Sequence, residues 1–311
     1  MKSERVLVTG GAGYVGSVLV PYLLASGYQV RVLDSLMHGI GGLLEQFNSD
    51  DFEFVKGDVR DASAVKKAAE DVDYVVHLAA MVGYPICKQN PDEAMAVNAG
   101  GTQVVASEVP KKVPIIFAST GSCYGNLEEV CKEDLPLQPK TLYAKSKMLA
   151  EQHLQKRGNF VIYRFATGYG ISPRLRLDLM INDFVYKAVK EKNLVVYERQ
   201  FQRTFIHVCD MARAFYYAVE SFDRVKDEVY NVGSEGMNLT KEYIARLIRE
   251  KTPYYLHFAD FGKDEDVRNY EVSYAKINNA GWETIISLER GVEQLIKLFR
   301  VFEMPKMYSN V

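Results

Sequence analysis

Short apolar runs alternate with helical patterns through the first half of the chain. Apolar, β-branched runs predict strands at residues 5–9, 29–33, 52–56, 74–78, 113–119 and 160–165. Apolar residues at helical spacing predict helices between them, at residues 14–25, 62–70, 92–108 and 143–156. Strands that alternate with helices pair in parallel through right-handed crossovers, so this pattern predicts an α/β fold with a doubly wound parallel sheet.

The pattern changes after about residue 170. Helices are predicted at residues 179–192, 210–220, 240–251 and 288–299, separated by short strands and polar loops. We therefore expect a sheet domain over residues 1–170 and, mainly from residues 171–311, a smaller C-terminal α/β lobe that binds substrate. No flexible linker divides the two parts. The lobe is expected to pack closely over the carboxyl edge of the sheet, where open α/β sheets bind ligands.

Composition limits the classes of partner. The 311 residues are 48% hydrophobic and 25% charged, as in ordinary globular proteins, and the net charge of −2 gives no basis for binding nucleic acid or an anionic membrane. The four cysteines lack metal-ligand spacing, so no metal is expected. No apolar run approaches ~20 residues and no secretory signal is evident, so we expect a cytoplasmic protein without a membrane span.

A glycine-rich turn, T-G-G-A-G-Y-V-G, follows the first predicted strand and opens the first helix. Gly10, Gly13 and Gly16 lie in this turn. The absence of Cβ atoms lets the backbone approach a dinucleotide diphosphate and lets the helix approach the sheet. A tight turn without a ligand is the alternative, but the order of strand, turn, helix and second strand favours a Rossmann-type dinucleotide site.

Two carboxylates follow the next strands. Asp34 ends the second strand, 18 positions after Gly16, where it can accept both adenosine ribose hydroxyls and repel a 2′-phosphate. NAD is therefore the predicted cofactor, rather than NADP. Asp58 follows the third strand, and it is predicted either to meet the adenine or to cap the next helix.

Tyr143 and Lys147 lie one helical turn apart in Y-A-K-S-K, so both project from one face of a helix. An ammonium group beside a phenol favours the phenolate and lowers the phenol pKa from ~10 toward neutrality. Such a pair can take a proton from an alcohol while a dinucleotide takes the hydride.

The motifs together resemble those of one family. They are the glycine turn with Asp34, K-G-D-V-R-D at 56–61, H-L-A-A at 77–80, V-N-A-G-G-T at 97–102, A-S-T-G-S-C-Y-G at 118–125, Y-A-K-S-K-M-L-A-E at 143–151 and R-T-F-I-H-V-C-D at 203–210. Over nearly its whole length the chain resembles the extended short-chain dehydrogenase/reductase family. Within it, the NAD-dependent sugar-nucleotide epimerase/dehydratase branch is the most similar.

This resemblance implies roles for further residues. Thr120 matches the family's catalytic hydroxyl, which completes a triad with Tyr143 and Lys147. Further cofactor contacts are implied for Tyr14, Val15, Val59, Leu78, Ala79, Ala80, Asn98 and Ser119. Substrate contacts are implied for Thr120, Thr167, Asn182, Arg203 and Arg268. Asn98 belongs to a supporting polar network in the family, Ser119 is alternatively a strand-end cap, and His77 is expected to be structural.

In the family, Tyr143 and NAD would oxidise C4 of a sugar attached to a nucleoside diphosphate. The simplest outcome is a 4-epimerase. A net 4-dehydrogenase is the alternative, because the chain also resembles enzymes similar to GDP-heptose 4-dehydrogenases of capsule or surface-polysaccharide synthesis. The 4,6-dehydratases carry Asp-Glu after the catalytic Thr, where this chain has Gly121 and Ser122. A non-catalytic dinucleotide-binding protein ranks lowest.

Some roles stay open at this point. Arg174 and Arg176 are interpreted as a solvated loop, with contact to a diphosphate or a partner subunit as the alternative. Tyr84 and Cys87 are equally compatible with a substrate loop and with packing, and Cys123 is expected to be a buried small residue. The family implies a homodimer through the helices at 92–108 and 143–156.

Overall fold

The structure, a computed structural model, describes residues 4–126, 129–259 and 270–303. Its strands are β1 (Arg5–Thr9), β2 (Gln29–Asp34), β3 (Phe52–Lys56), β4 (Tyr74–His77), β5 (Ile115–Thr120), β6 (Phe160–Phe165), β7 (Thr167–Tyr169), β8 (Asn193–Tyr197), β9 (Gln202–His207), β10 (Glu228–Val232), β11 (Asn238–Thr240) and β12 (Tyr255–Ala259). Its helices are α1 (Gly16–Ala25), α2 (Ala62–Ala68), α3 (Tyr84–Gln89), α4 (Pro91–Met95), α5 (Gly101–Glu108), α6 (Leu142–Arg157), α7 (Met180–Tyr186), α8 (Val208–Glu220), α9 (Phe222–Val225), α10 (Lys241–Lys251), α11 (Ala275–Asn279) and α12 (Leu288–Val301).

Seven parallel strands form the central sheet, in the order β10-β6-β5-β4-β1-β2-β3. The strand order reverses beside β1, which pairs with β2 on one side and with β4 on the other. At such a reversal, the loops that leave the carboxyl ends of neighbouring strands diverge and open a crevice. The doubly wound parallel sheet predicted from the sequence is confirmed.

Both faces of the sheet are covered by helices. Because side chains alternate along a strand, Val6 and Val8 of β1 pack in the core beneath α1 and α8, whereas Leu7 packs beneath α2, α5 and α6. Strands buried on both faces have few polar positions, which is why they appear as continuous apolar runs in the sequence.

The C-terminal half contributes to both parts of the molecule. A third core lies among α7, α10 and α12 with β8 and β9, beside the small sheets β11-β9-β7 and β12-β8. However, β10 joins the central sheet beside β6, and α8 packs on α1. The division expected at residue 170 is therefore not a clean one, because residues 208–232 complete the sheet domain.

Most predicted element boundaries lie within a few residues of the observed ones. The helix predicted at 92–108 is the clearest difference: α4 and α5 are joined by a π-helical segment, Ala96–Gly100. The short helix α3 follows β4 directly and was not predicted. Among the described residues, no helix has the length and apolar character needed to cross a membrane.

Candidate functional site

A cavity of about 290 Å³ opens at the carboxyl ends of β1, β2, β4 and β5, where the strand order reverses. Most of the residues predicted to bind cofactor or substrate line it. These are Gly10, Gly13, Tyr14, Val15, Gly16, Asp34, Asp58, Val59, Leu78, Ala79, Ala80, Ser119, Thr120, Tyr143, Lys147 and Thr167. Residues far apart in the sequence thus meet at one site.

The glycine turn forms the wall of this cavity next to β1. Gly10 has φ +72°, and a Cβ atom there would lie 2.6 Å from the backbone nitrogen of Ala79. A Cβ atom on Gly16 would lie 2.5 Å from the carbonyl oxygen of Gly11. Both positions therefore require glycine, and α1 begins at Gly16. A cavity wall of bare backbone at a helix N-terminus fits the diphosphate of a dinucleotide.

The Asp34 carboxylate is fixed by two backbone hydrogen bonds. Its oxygens accept from the N–H of Ala12 at 2.9 Å and from the N–H of Leu36 at 2.7 Å. Burial raises the pKa of this carboxyl, while the two backbone hydrogen bonds lower it. A carboxylate has about four acceptor sites, so two oxygens fixed by one N–H each retain capacity for ribose hydroxyls.

Asp58 lies in the same cavity but does not cap a helix. Arg60 donates to it from its guanidinium at 2.6 Å, and this hydrogen bond lowers the pKa of the Asp58 carboxyl. The N-cap of α2 is Asp61, which accepts from the backbone N–H groups of Ser63 and Ala64. The capping alternative for Asp58 is therefore wrong.

Two predicted residues support the cavity from behind. Asn98 accepts from the N–H of Met81 at 2.8 Å and donates to the Ser146 hydroxyl at 3.0 Å, and it does not line the cavity itself. His77 is fully buried between the hydroxyls of Thr9 and Thr102, at 2.6 and 3.0 Å. Burial lowers its pKa to about 3, which agrees with the structural role predicted for it.

The proposed catalytic side chains come from β5 and α6. Thr120 ends β5, and its hydroxyl accepts from the N–H of Ser122 and donates to the Ser122 hydroxyl at 3.1 Å. Thr141 caps α6 by accepting from the N–H of Ala144. The helix therefore begins just before Tyr143, and Tyr143 reaches the cavity from its first turn.

Lys147 is almost completely enclosed, with 2% of its surface exposed. Its ammonium nitrogen lies 4.3 Å from the centre of the Phe117 ring. Burial lowers the pKa of Lys147 to about 8, and the neighbouring Cys123, Glu151 and Cys87 oppose this shift to the extent that each is ionised. Lys147 thus combines a position at the cavity with a pKa close to neutral pH, as functional lysines often do.

Arg174 and Arg176 correct the sequence interpretation of a solvated loop. Only 4% and 8% of their surfaces are exposed, and both line the cavity. Arg176 pairs with Asp178 at 2.5 Å and donates to the carbonyl oxygen of Val82. The alternation R-L-R in an extended segment was the available signal, because it places both side chains on one side.

Further residues in the loops after β2 and β4 line the cavity, and they were not predicted from the sequence. Among them are Met37, His38, Met81 and Val82. Burial and the neighbouring charges of Arg174 and Arg176 lower the pKa of His38 to about 4. His38 is therefore neutral near pH 7 and adds no charge to the cavity.

Two of the predicted substrate residues, Asn182 and Arg203, are not among the described residues that line the cavity. Asn182 is fully buried, accepts from the N–H of Gly170 at 2.9 Å and donates to the carbonyl of Arg176 at 2.9 Å, so it supports the loop instead of contacting ligand. Arg203 is buried in β9, away from the described cavity wall. Arg268 lies outside the described residues.

The described cavity wall is positively charged, although the chain as a whole is not. It carries Arg60, Lys147, Arg174 and Arg176 against Asp34 and Asp58, four cations against two anions. Arg174 and Arg176 contribute two of these cations, and neither was among the residues predicted to bind substrate. A ligand with anionic groups is compatible with this wall.

Comparison with known proteins identifies the family. A sequence model of the NAD dependent epimerase/dehydratase family matches residues 6–233. The chain belongs to this family. Membership confirms the resemblance inferred from the motifs, and it confirms NAD as the cofactor of the family. The glycine turn and Asp34, which form one wall of the cavity, provide the features that this cofactor requires.

Relatives within the family differ in the reaction they are named for. The dTDP-D-glucose 4,6-dehydratase of Mus musculus is 28% identical over 322 residues, covering 96% of this chain and 89% of the mouse protein. The UDP-glucose 4-epimerase of Thermotoga maritima, solved with UDP-glucose, superimposes with a TM-score of 0.85 at 26% identity and covers 95% of this chain and 98% of that one. The NAD complex of the Thermus thermophilus UDP-glucose 4-epimerase superimposes with a TM-score of 0.80 at 27% identity and covers 96% and 99%.

Proposed function

We propose that the protein oxidises C4 of a nucleoside-diphosphate sugar with NAD, through a 4-keto sugar, and acts most simply as a 4-epimerase. The observation that carries the proposal is the meeting of Thr120, Tyr143 and Lys147 in the cavity formed by the glycine turn. In the family resemblance, these three are the catalytic residues. The positively charged wall supports a ligand that carries a diphosphate.

Each side chain has a distinct role in this mechanism. Tyr143 accepts the proton of the C4 hydroxyl, and the ammonium of Lys147 stabilises the phenolate by its charge. The Thr120 hydroxyl hydrogen-bonds the reacting oxygen as an alcohol and then as a ketone. NAD, when bound, would supply the hydride acceptor for oxidation at C4 and the hydride donor for reduction of the ketone. The glycine turn, Asp34 and Lys147 would hold this cofactor.

The residues around Thr120 argue against dehydration. Elimination of water requires an acid–base pair near the sugar, which the 4,6-dehydratases supply directly after the catalytic Thr. Gly121 and Ser122 occupy those positions here. Among the described residues that line the cavity, the carboxylates are Asp34 and Asp58, which follow β2 and β3 rather than β5.

Thr167 favours a second candidate, a net NAD-dependent 4-dehydrogenase. Epimerases of the family often carry Asn at this position, and Thr167 lines the cavity. Thr167 in place of Asn would change the hydrogen bonds offered to the sugar. It would therefore affect which substrate binds and whether the 4-keto sugar stays bound until it is reduced. GDP-heptose is the substrate class suggested by the sequence resemblance, and capsule or surface-polysaccharide synthesis is the corresponding role. Under either candidate the protein acts as a homodimer.

Anaerobic incubation with UDP-, GDP-, CDP- and dTDP-sugars tests both candidates. An isomerised sugar without net NADH identifies an epimerase, and NADH in proportion to a released ketone identifies a dehydrogenase. Tyr143→Phe is expected to lower turnover about 10²- to 10⁴-fold. Tyr22→Phe, on α1 and exposed, is the matched control and should retain turnover. Full activity of Tyr143→Phe on every accepted substrate would contradict the proposal.

A further inference from the structure

Glu151 is a buried carboxylate on the catalytic helix that the proposed mechanism does not use. It lies four residues after Lys147 and eight after Tyr143, so all three share one face of α6. Only 2% of its surface is exposed. A carboxylate this deeply buried requires partners that offset the loss of its hydration.

The partners of Glu151 come from two neighbouring strands. The Ser119 hydroxyl, at the residue before Thr120 in β5, donates a short hydrogen bond to it. Arg164 of β6 forms a two-pronged ion pair with it, with N–O distances of 3.1, 3.2 and 2.8 Å. A forked pair of this kind holds both side chains in one geometry.

The arrangement continues to the far end of the sheet. Arg164 also donates to the Tyr124 hydroxyl at 3.0 Å, and that hydroxyl donates to the Asn231 side chain of β10 at 2.8 Å. Asn231 in turn donates to the carbonyl oxygen of Ser273 at 3.1 Å. The carboxylate therefore connects α6 with β5, β6 and β10, and residues of α6, β5 and β6 line the cavity.

We propose that Glu151 is a positioning residue, which fixes the end of β5 carrying Thr120 against the helix face carrying Tyr143 and Lys147. This inference rests on the proposed function. The hydrogen bond from Ser119 is a direct polar connection between the two catalytic elements. A buried ion pair contributes little net stability compared with apolar side chains of similar size. The location of this pair between the catalytic elements therefore indicates that it serves to position them.

The same carboxylate acts on the charge of Lys147. The titratable or charged groups around this lysine include Glu151 and Tyr143 on its own helix, Cys123 after β5, Cys87 on α3 and His77 at the end of β4. Two cations also belong to this set: Arg164, which pairs with Glu151, and Arg176, which acts on Cys87. Cys87, Cys123 and His77 are neutral near pH 7, because burial raises the pKa of both thiols and lowers that of the imidazole. Glu151 is therefore the carboxylate that opposes the effect of burial on the pKa of Lys147.

Three variants separate position from charge. Glu151→Gln keeps the size and an acceptor for Ser119 but removes the charge. Ser119→Ala keeps the ion pair with Arg164 and removes the connection to β5. The double variant Glu151→Met/Arg164→Met removes both charges together, and such replacements of buried pairs often preserve folding. Glu250→Gln, exposed on α10, is the matched control for the loss of a carboxylate.

Two quantities are measured in each variant: the pH profile of kcat and the titration of Lys147. The titration is monitored by NMR of ¹³C-labelled lysine, and the Lys147 signal is assigned by its loss in Lys147→Met. Glu151→Gln and the double variant should move the alkaline limb of kcat and the lysine titration to lower pH, with KM changed less than about threefold. Ser119→Ala should lower kcat about tenfold or more through misplacement of Thr120 and leave the lysine titration unchanged.

The proposal would be overturned by a folded double variant with the wild-type pH limb and lysine titration, or by full kcat in Ser119→Ala. A Glu151→Gln protein that lost thermal stability but kept the wild-type pH profile of kcat and the wild-type Lys147 titration would also overturn the proposal. Glu151 would then have only a structural role. The lysine titration needs no substrate. Failure of the proposed reaction would instead show as an inactive wild-type protein whose lysine still titrates differently from the variants.

Discussion

The buried ammonium of Lys147 lowers the stability of the folded protein and at the same time places a positive charge at the cavity. Its enclosure, which brings the ammonium to Phe117 and the cavity, also removes it from water. A charge in that position is disfavoured in the folded protein, and the lowered pKa of about 8 is the measure of that cost. A side chain that only had to fill space here would be apolar.

Lys147→Met is expected to stabilise the cofactor-free protein at pH 7 while it abolishes turnover. The pKa falls from 10.5 to about 8 on folding, which corresponds to about 3 kcal/mol. Between these two pH values the unfolded chain binds more protons than the folded one, so the wild type gains stability as pH rises. Urea unfolding at pH 7 and pH 10.5 measures the free energy of unfolding of both proteins.

The difference between variant and wild type should therefore be largest at pH 7 and shrink by pH 10.5. Lys145→Met is the matched control, because Lys145 lies exposed on the same helix. It should show little change at either pH. A Lys147→Met protein less stable than wild type at pH 7 would contradict the prediction.

The sequence was most informative for residues that lie in short contiguous motifs. Asp34, Tyr143 and Lys147 could be placed at the cavity from their spacing along a strand or helix, whereas Thr120 was placed by its match to a motif of the family. Arg174 and Arg176 were misjudged, because burial of an arginine depends on the surrounding loops, and the R-L-R alternation shows only that the two side chains share one side. Asn182 was assigned to substrate because it lies in a local motif of the sequence. In the structure its side-chain amide instead forms hydrogen bonds with the backbone of Gly170 and Arg176.

At the scale of elements, the turn between β1 and α1 is the most constrained segment of the cavity. Gly10 and Gly158 have nearly equal φ values, +72° and +75°. A Cβ atom on Gly10 would meet the backbone of Ala79, whereas one on Gly158 would meet nothing within 4 Å. The two glycines therefore separate the effect of backbone conformation from that of close packing.

Gly158→Ala should lower the free energy of unfolding by about 1–3 kcal/mol, because φ 75° with ψ 177° is a backbone conformation occupied almost only by glycine. Gly10→Ala should lower it by more than this, because β4 must also move away from β1. Only Gly10→Ala should reduce the NAD that remains bound through purification. Equal losses of stability and equal NAD content in the two variants would argue against a close approach at the turn.

The helices that follow β4 show why some elements could not be predicted. Residues 92–108 have one helical pattern, yet the π-helical segment Ala96–Gly100 interrupts it. Asn98 lies in this segment and bonds Met81 and Ser146. Such tertiary contacts stabilise the extra residue in a π-helical turn. The periodic pattern of apolar residues does not reveal them, so the segment could not be predicted.

At the scale of the whole molecule, a homodimer remains a prediction from the family. The expected interface helices correspond to α5 and α6, which pack on each other. Light scattering after size-exclusion chromatography should give twice the chain mass of 35.2 kDa. Gln103→Arg/Gln152→Arg, at exposed positions on the two helices, should shift the protein to a monomer by placing like charges across a twofold axis.

Glu250→Arg, on the distant helix α10, is the control and should remain dimeric. A wild-type mass of one chain would refute the dimer. If the double arginine variant remained dimeric, the interface would have to lie on a surface other than α5 and α6.

The position of β10 has a consequence for synthesis of the protein. All six residues of β6 are buried, and β10 pairs along its length. Residues 166–227 separate the two strands, so at about 5–20 residues per second a ribosome takes about 3–12 seconds to supply the second. Throughout that interval the nascent chain presents an apolar strand with unpaired amides. We expect chaperone dependence and co-translational aggregation to concentrate there.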